Sequence, residues 1–179
     1  LPVERVWGEW SKISTKAERP GMSLAALKAI GWDRHYPQLT AIDGVAQDPG
    51  WHPEGTVDVH TAQAADAAAV IAERSGLSSD DRQVLTFGAI AHDFGKATHT
   101  QLHADGRVTS RGHAEAGVQP ALQFLRSIGC PERVAEHVVP LVREHMCAAT
   151  TEGPTPSAVR RLARRLGPTS IEMWAMVVQ

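Results

Sequence analysis

The chain has 179 residues, 42% hydrophobic and 21% charged, with a formal net charge of −2, a composition that fits one compact, self-supporting domain and excludes wholesale disorder. The near-neutral balance leaves no electrostatic footprint for nucleic acid by itself. No apolar run approaches the roughly 20 residues of a membrane span, and no basic-then-apolar signal segment opens the sequence.

Helical periodicity dominates. Val3, Val6, Trp7, Trp10 and Ile13 form one apolar stripe on a first helix started by Pro2. A second helix is expected from a Ser23 cap through Leu24, Leu27 and Ile30 to Gly31. Proline and glycine between 32 and 55 predict a loop-rich connector. An alanine-rich third helix runs from about 56 to 75. A fourth, capped at Ser79, leads through Val84, Leu85, Ala89 and Ile90 to His92-Asp93, with Gly95 as its stop. The polar stretch that follows holds the tight turn Ala104-Asp105-Gly106-Arg107, which predicts a small hairpin near 98–110.

Helical spacing resumes at Gly112 and runs to Gly129, and Pro131 opens the next helix, which carries His145. Pro120 and Pro140 are expected to kink or interrupt these two helices. A loop with Gly153, Pro154 and Pro156 precedes a helix at 157–166, whose Val159, Leu162, Ala163 and Leu166 face inward. A last helix opens at Pro168 and is still running at Gln179. The fold class expected is all-α, with seven to nine helices.

The nine histidines, about one residue in twenty, carry the chemistry. His60, His92-Asp93, His113 and His145 fall on four separate helical segments. Imidazole nitrogen with carboxylate oxygen suits Zn, Mn, Fe, Ni or Co better than Ca or Mg, which favour all-oxygen shells. Such an ion lowers the pKa of a coordinated water towards neutrality. Lys96 and Arg111 place cations beside that water, as a phosphate requires.

The run His60, His92-Asp93-Phe94-Gly95-Lys96, Arg111-Gly112-His113 and His145 resembles the HD superfamily of metal-dependent phosphohydrolases. Trp51-His52-Pro53-Glu54-Gly55 with Val59-His60-Thr61 is similar to the HD domain of bacterial tRNA nucleotidyltransferases, the CCA-adding enzymes. The resemblance implies an HD helical fold over 51–179, and a helical lead-in over 1–50 like the segment joining the nucleotidyltransferase body to that domain. It implies one or two divalent transition-metal ions (Mn, Ni, Co, Fe or Zn) held by His60, His92, Asp93, His113 and His145, with Asp93 bridging. Lys96 and Arg111 are the implied phosphate contacts, and Asp93 with Lys96 the implied catalytic pair.

The implied activity is hydrolysis of phosphate esters of nucleotides or RNA ends, of the 2′,3′-cyclic phosphodiesterase, phosphatase or 2′-nucleotidase type. Two alternatives stand beside it: a tRNA-binding fragment with a vestigial HD site, and an HD hydrolase of another phosphorylated metabolite. The family's last ligand, an aspartate in the final helix, falls by register just beyond Gln179. The head-domain motif of Gly-Ser or Gly-Gly before Asp-x-Asp is missing, so CCA addition is not expected of this chain.

The remaining candidates have plainer readings. His35, His99, His103 and His137 read as surface or loop residues, and His52 as a packed loop residue or a partner orienting a ligand. Arg160, Arg161, Arg164 and Arg165 read as a solvated helix face, and Trp7, Trp10 and Trp174 as core packing. Cys130 and Cys147 form no close metal-ligand pair and read as inert small hydrophobes in a reducing, cytoplasmic compartment.

Overall fold

The computed structural model describes residues 2–150 and 155–178, the side chains of 148–150 excepted. In chain order it runs α1 (Val3–Lys16), α2 (Pro20–Ala29), α3 (Pro37–Ala41), α4 (Val57–Arg74), α5 (Ser79–Ala91) and α6 (Lys96–His99). A hairpin of β1 (Gln101–Leu102) and β2 (Val108–Thr109) follows. Then come α7 (His113–Ala116), α8 (Val118–Ser127), α9 (Glu132–Glu144), α10 (Pro156–Leu166) and α11 (Ile171–Val177). Among the described residues eight α-helices have seven residues or more and three are single turns, so the all-α expectation holds. The hairpin is the only sheet there, with Gln101 opposite Thr109 and Leu102 opposite Val108. No helix among the described residues is long and apolar enough to cross a membrane.

Helix α5 is the centre of the molecule. Every residue from Gln83 to Ala91 is buried, because α1, α4, α9 and α11 all pack against it, and a helix enclosed on all sides must be apolar or internally satisfied. The two polar side chains of that buried stretch are satisfied by α1: Gln83 donates to Ser11 Oγ at 2.7 Å, and Thr86 Oγ1 to the Ser14 carbonyl at 3.3 Å. Trp10, fully in the core, meets Tyr36 and Phe124 edge to face, each at 5.1 Å between centroids. The lead-in therefore shares one hydrophobic core with the rest of the chain. Small residues let α4 lie close on α5, since Thr61, Ala65, Ala68, Ala69 and Ala72 are its buried face after Val57.

Several boundaries differ from the sequence expectation. Helix α2 begins with Pro20 in its first turn rather than at Ser23, because proline's fixed φ and missing N–H suit that position. Ser78, not Ser79, caps α5, accepting from the Asp81 N–H at 3.1 Å. Pro131 is the residue before α9 rather than its first. Pro120 sits in the first turn of α8, where its absent N–H removes no helical bond; the break falls ahead of it, between α7 and α8. Helix α9 runs on through Pro140. Ala163 is exposed, and only Leu162 and Leu166 of α10 are buried. The last helix opens at a Ser170 cap and ends at Val177, with Pro168 outside it. Gly153, Pro154 and Gln179 lie outside the described residues.

Gly95 has a role other than the expected helix stop. Its φ is an ordinary −68°, and α5 has already ended at Ala91. What requires glycine is proximity: a Cβ there would lie 2.0 Å from the His113 carbonyl oxygen and 2.6 Å from the Gly117 nitrogen. The turn after α5 is thereby pressed directly against α7. Gly112, in the left-handed region at φ +81°, lets the chain swing into α7 from the hairpin. Replacing Gly95 with alanine must part these backbones. Gly95→Ala is expected to lower unfolding free energy by about 1–3 kcal/mol, as overpacking does; an unchanged thermal midpoint would show that the two turns are not in contact.

Candidate metal centre

Four imidazoles converge on one carboxylate. His92 follows α5 directly as its C-cap, Asp93 lies in the turn after it, His60 is in the first turn of α4, His113 opens α7, and His145 follows α9. Asp93 is 1% exposed. Its two oxygens face different histidine pairs. Oδ2 lies 3.1 Å from His92 Nε2 and 3.7 Å from His60 Nε2, while Oδ1 lies 3.1 Å from His113 Nε2 and 3.6 Å from His145 Nε2. Within each pair the Nε2 atoms approach closely, to 3.2 Å for His60 and His92 and 2.9 Å for His113 and His145.

The opposite edges of these rings fix their tautomers. Nδ1 of His92 donates to the Ala89 carbonyl at 2.8 Å, Nδ1 of His113 to Ser110 at 2.6 Å, and Nδ1 of His145 to Val142 at 2.7 Å. His60 Nδ1 donates to Glu54 Oε1 at 2.6 Å. A carbonyl or carboxylate only accepts, so each Nδ1 carries the proton and each Nε2 of a neutral ring turns a lone pair inward. Lone pairs facing each other at 2.9 and 3.2 Å repel unless a cation lies between them. Donors about 2.1 Å from one shared ion stand about 3.0 Å apart at right angles and about 3.6 Å apart at 120°. Both triads, His60–His92–Asp93 and Asp93–His113–His145, have that spacing, and nitrogen with carboxylate oxygen is a donor set for a divalent transition metal.

The electrostatics agree for His60 and His145, whereas His92 is drawn towards its protonated form by Asp93. Burial, reinforced by the neighbouring His92, holds the His60 imidazole below its ordinary pKa. Burial pushes His145 down to about 3, so that ring stays neutral. Burial also opposes charge on His92, but the adjacent Asp93 carboxylate outweighs it and the net direction is up. For Asp93 burial works against ionisation, yet His92, His113 and Lys96 together hold the carboxyl well below the usual range.

Lys96 is buried with its ammonium 2.8 Å from Asp93 Oδ2 and 2.7 Å from Gln47 Oε1. The first contact is an ion pair, and the buried Oδ2 accepts no hydrogen bond among the described residues. Two clefts of about 760 Å³ each open on this centre and share Lys96 and His52 in their walls. The first reaches His60, His92, Asp93 and His145. The second reaches His113 and carries Arg111, which is exposed and makes no hydrogen bond or ion pair with a described residue. All five candidate ligands thus come together with Lys96, and Arg111 stands apart at a cleft wall.

Glu54 and Gln47 were missed by sequence reasoning. Glu54 Oε1 accepts from both His60 Nδ1 and His52 Nδ1, at 2.6 and 2.9 Å, so His52 acts on His60 through this carboxylate. Burial opposes its charge, but those bonds and a backbone one bring its pKa down to about 2. A Glu six residues before His60, the first candidate ligand, in a loop, was the available signal. Truncation to Glu54→Ala frees the His60 ring. Affinity for Mn²⁺ is expected to fall about 10- to 100-fold by equilibrium dialysis; unchanged affinity would remove Glu54 from the centre.

A family model for the HD domain matches residues 57–173. Curated relatives similar to the chain carry the name multifunctional CCA protein. That of Halorhodospira halophila is 32% identical over 149 residues, covering 83% of this chain and 33% of the relative. That of Ralstonia nicotianae is 30% identical over 166 residues, covering 92% and 36%. A third, from Acinetobacter baumannii, is 27% identical over 167 residues, covering 93% and 38%. The chain spans about a third of the length of these relatives. With four histidines and one aspartate of the signature gathered at one point, and more than half of its length matched, the chain belongs to the HD-domain family, whose members are generally metal-dependent hydrolases.

Proposed function

We propose that this chain is a metal-dependent phosphohydrolase acting on phosphate esters of nucleotides or RNA ends, of the 2′,3′-cyclic phosphodiesterase, phosphatase or 2′-nucleotidase type. The observation that carries this reading is the division of one buried carboxylate between two histidine pairs. In this reading His60, His92 and Asp93 would hold one divalent ion, and Asp93, His113 and His145 would hold a second. Such ions supply Lewis acidity towards phosphoryl oxygens and lower the pKa of water.

The protein's own groups do the rest. Asp93, fixed by burial, sets the spacing between the two halves of the centre. The carbonyls of Ala89, Ser110 and Val142, with Glu54, hold each imidazole in the tautomer that presents Nε2. Lys96, tethered by Gln47, places a cation where charge accumulates on the phosphoryl oxygens, and preorganised charge of this kind is the largest single contribution in many enzymes. Arg111, exposed on the wall of the second cleft, is positioned to meet the non-bridging oxygens of an arriving phosphate. We also propose that residues 1–50 are a lead-in to an HD domain over 51–179, a division supported by the family match beginning at residue 57.

A second reading keeps tRNA as partner and the HD centre as vestigial. It is favoured by the similarity to CCA proteins and by α10, where the side chains of Arg160 and Arg164 are exposed and make no hydrogen bond or ion pair with a described residue. Arg165 is ion-paired with Glu144, which compensates one of the four charges, whereas Arg161 is bonded only to the neutral Ser157 hydroxyl and keeps its charge.

The two readings separate on turnover. The first expects Mn²⁺- or Ni²⁺-stimulated hydrolysis of 2′,3′-cyclic AMP that falls at least about 100-fold in His92→Ala and in Asp93→Ala, with helical circular dichroism retained. Full activity in either variant would contradict it. The second expects no metal-dependent turnover and salt-sensitive tRNA binding that weakens when the α10 arginines are neutralised.

A further inference from the structure

Trp51 is anomalous. It is 85% exposed, while Trp10 in the core is 2% exposed, and tryptophan is highly buried on average. A short turn holds it out: the Trp51 and His52 N–H groups both donate to the Asp48 carbonyl, at 3.1 and 2.8 Å. The indole makes no ring contact or hydrogen bond with a described residue. It is not a stray surface side chain, because it lines the second cleft together with the candidate phosphate contacts Lys96 and Arg111 and with His113. The cleft's volume of about 760 Å³ lies within the range of small-molecule sites. A flat π-face, held out by backbone bonds in a cleft that also carries cations, matches a ligand that carries a planar ring at one end and a phosphate at the other.

We propose that Trp51 is a stacking platform for the nucleobase of the substrate, and so the residue that makes this centre select nucleoside phosphates over other phosphate esters. The proposal rests on the hydrolase reading above for the identity of the phosphate end, but its own observations are the exposed indole and its place in the cleft. Base–aromatic stacking tolerates every base, so selection is for the presence of a base, not for its sequence. The same chemistry is offered by a free mononucleotide and by the terminal nucleotide of an RNA.

The test uses the full chain supplied with Mn²⁺ and two slowly hydrolysed probes, adenosine 2′-phosphorothioate and its base-less counterpart ribose 2-phosphorothioate. Affinity is read by titration calorimetry and by quenching of indole fluorescence. In the wild-type protein the adenosine probe is expected to bind more tightly and to quench. Trp51→Ala is expected to weaken it about 5- to 100-fold and to leave the ribose probe unchanged, and Trp51→Phe to restore most of the loss. Equal affinity for the two probes in the wild type, no quench on binding, or undiminished adenosine affinity in Trp51→Ala would overturn the proposal.

A short oligoribonucleotide ending in the same phosphorothioate separates the sources. Binding tighter than the mononucleotide assigns the platform to RNA ends, and equal binding assigns it to free nucleotides. Hydrolysis is scored separately: stacking without turnover sinks the hydrolase reading alone, and turnover indifferent to the base sinks the platform alone.

Discussion

The structure depends on one buried negative charge. Asp93, 1% exposed and facing five potential cations or donors, sits where an ionised carboxylate is costly unless it is paired. The helices answer that constraint. Helix α5 delivers Asp93 from the middle of the core, α4 and α9 bring His60 and His145 alongside, and the contact of Gly95 with the His113 carbonyl closes α7 onto the same point. Breaking a buried network of this kind by removing one member leaves the others uncompensated, so the local geometry of the centre depends on every member, while the helices around it keep their own apolar core.

The outer contacts matter as much as the inner ones. Each imidazole is anchored by an acceptor on its far edge, three of them backbone carbonyls of the helix or turn that carries the ring. The exception is His60, anchored by the side chain of Glu54 from the preceding loop. Orientation of three ligands is therefore built into helix and turn geometry, whereas the fourth depends on a loop that also carries His52 and Trp51. One wall of the centre is rigid by construction, and the other, at the loop, is where substrate contacts can vary at little cost to the fold.

Much of this was legible in the sequence. Helical periodicity gave the element order, and the ordered histidines with the His92-Asp93 pair gave the five candidate ligands that the fold brings together. The apolar run before His92 announced a buried α5. What escaped had no periodic signal. Glu54 and Gln47 act through long-range contacts from irregular segments, and their partners lie six and 49 residues away. Gly95 reads in sequence as a helix stop, because a close backbone approach from residues near 113 leaves no local mark. The exposure of Trp51 is equally invisible, since nothing local marks whether the connector that carries it holds the indole out or packs it inward. Cap positions shifted by one residue where Ser78 and Ser79 compete, a choice settled by which hydroxyl reaches the Asp81 N–H.

The central claim is that Asp93 is shared, one oxygen to each histidine pair. Anomalous diffraction from crystals of the Mn²⁺-loaded protein tests it most directly. The account predicts two peaks on opposite sides of the carboxylate, one against His60 and His92 and the other against His113 and His145. A map without density beside Asp93, or with manganese elsewhere on the molecule, would contradict it.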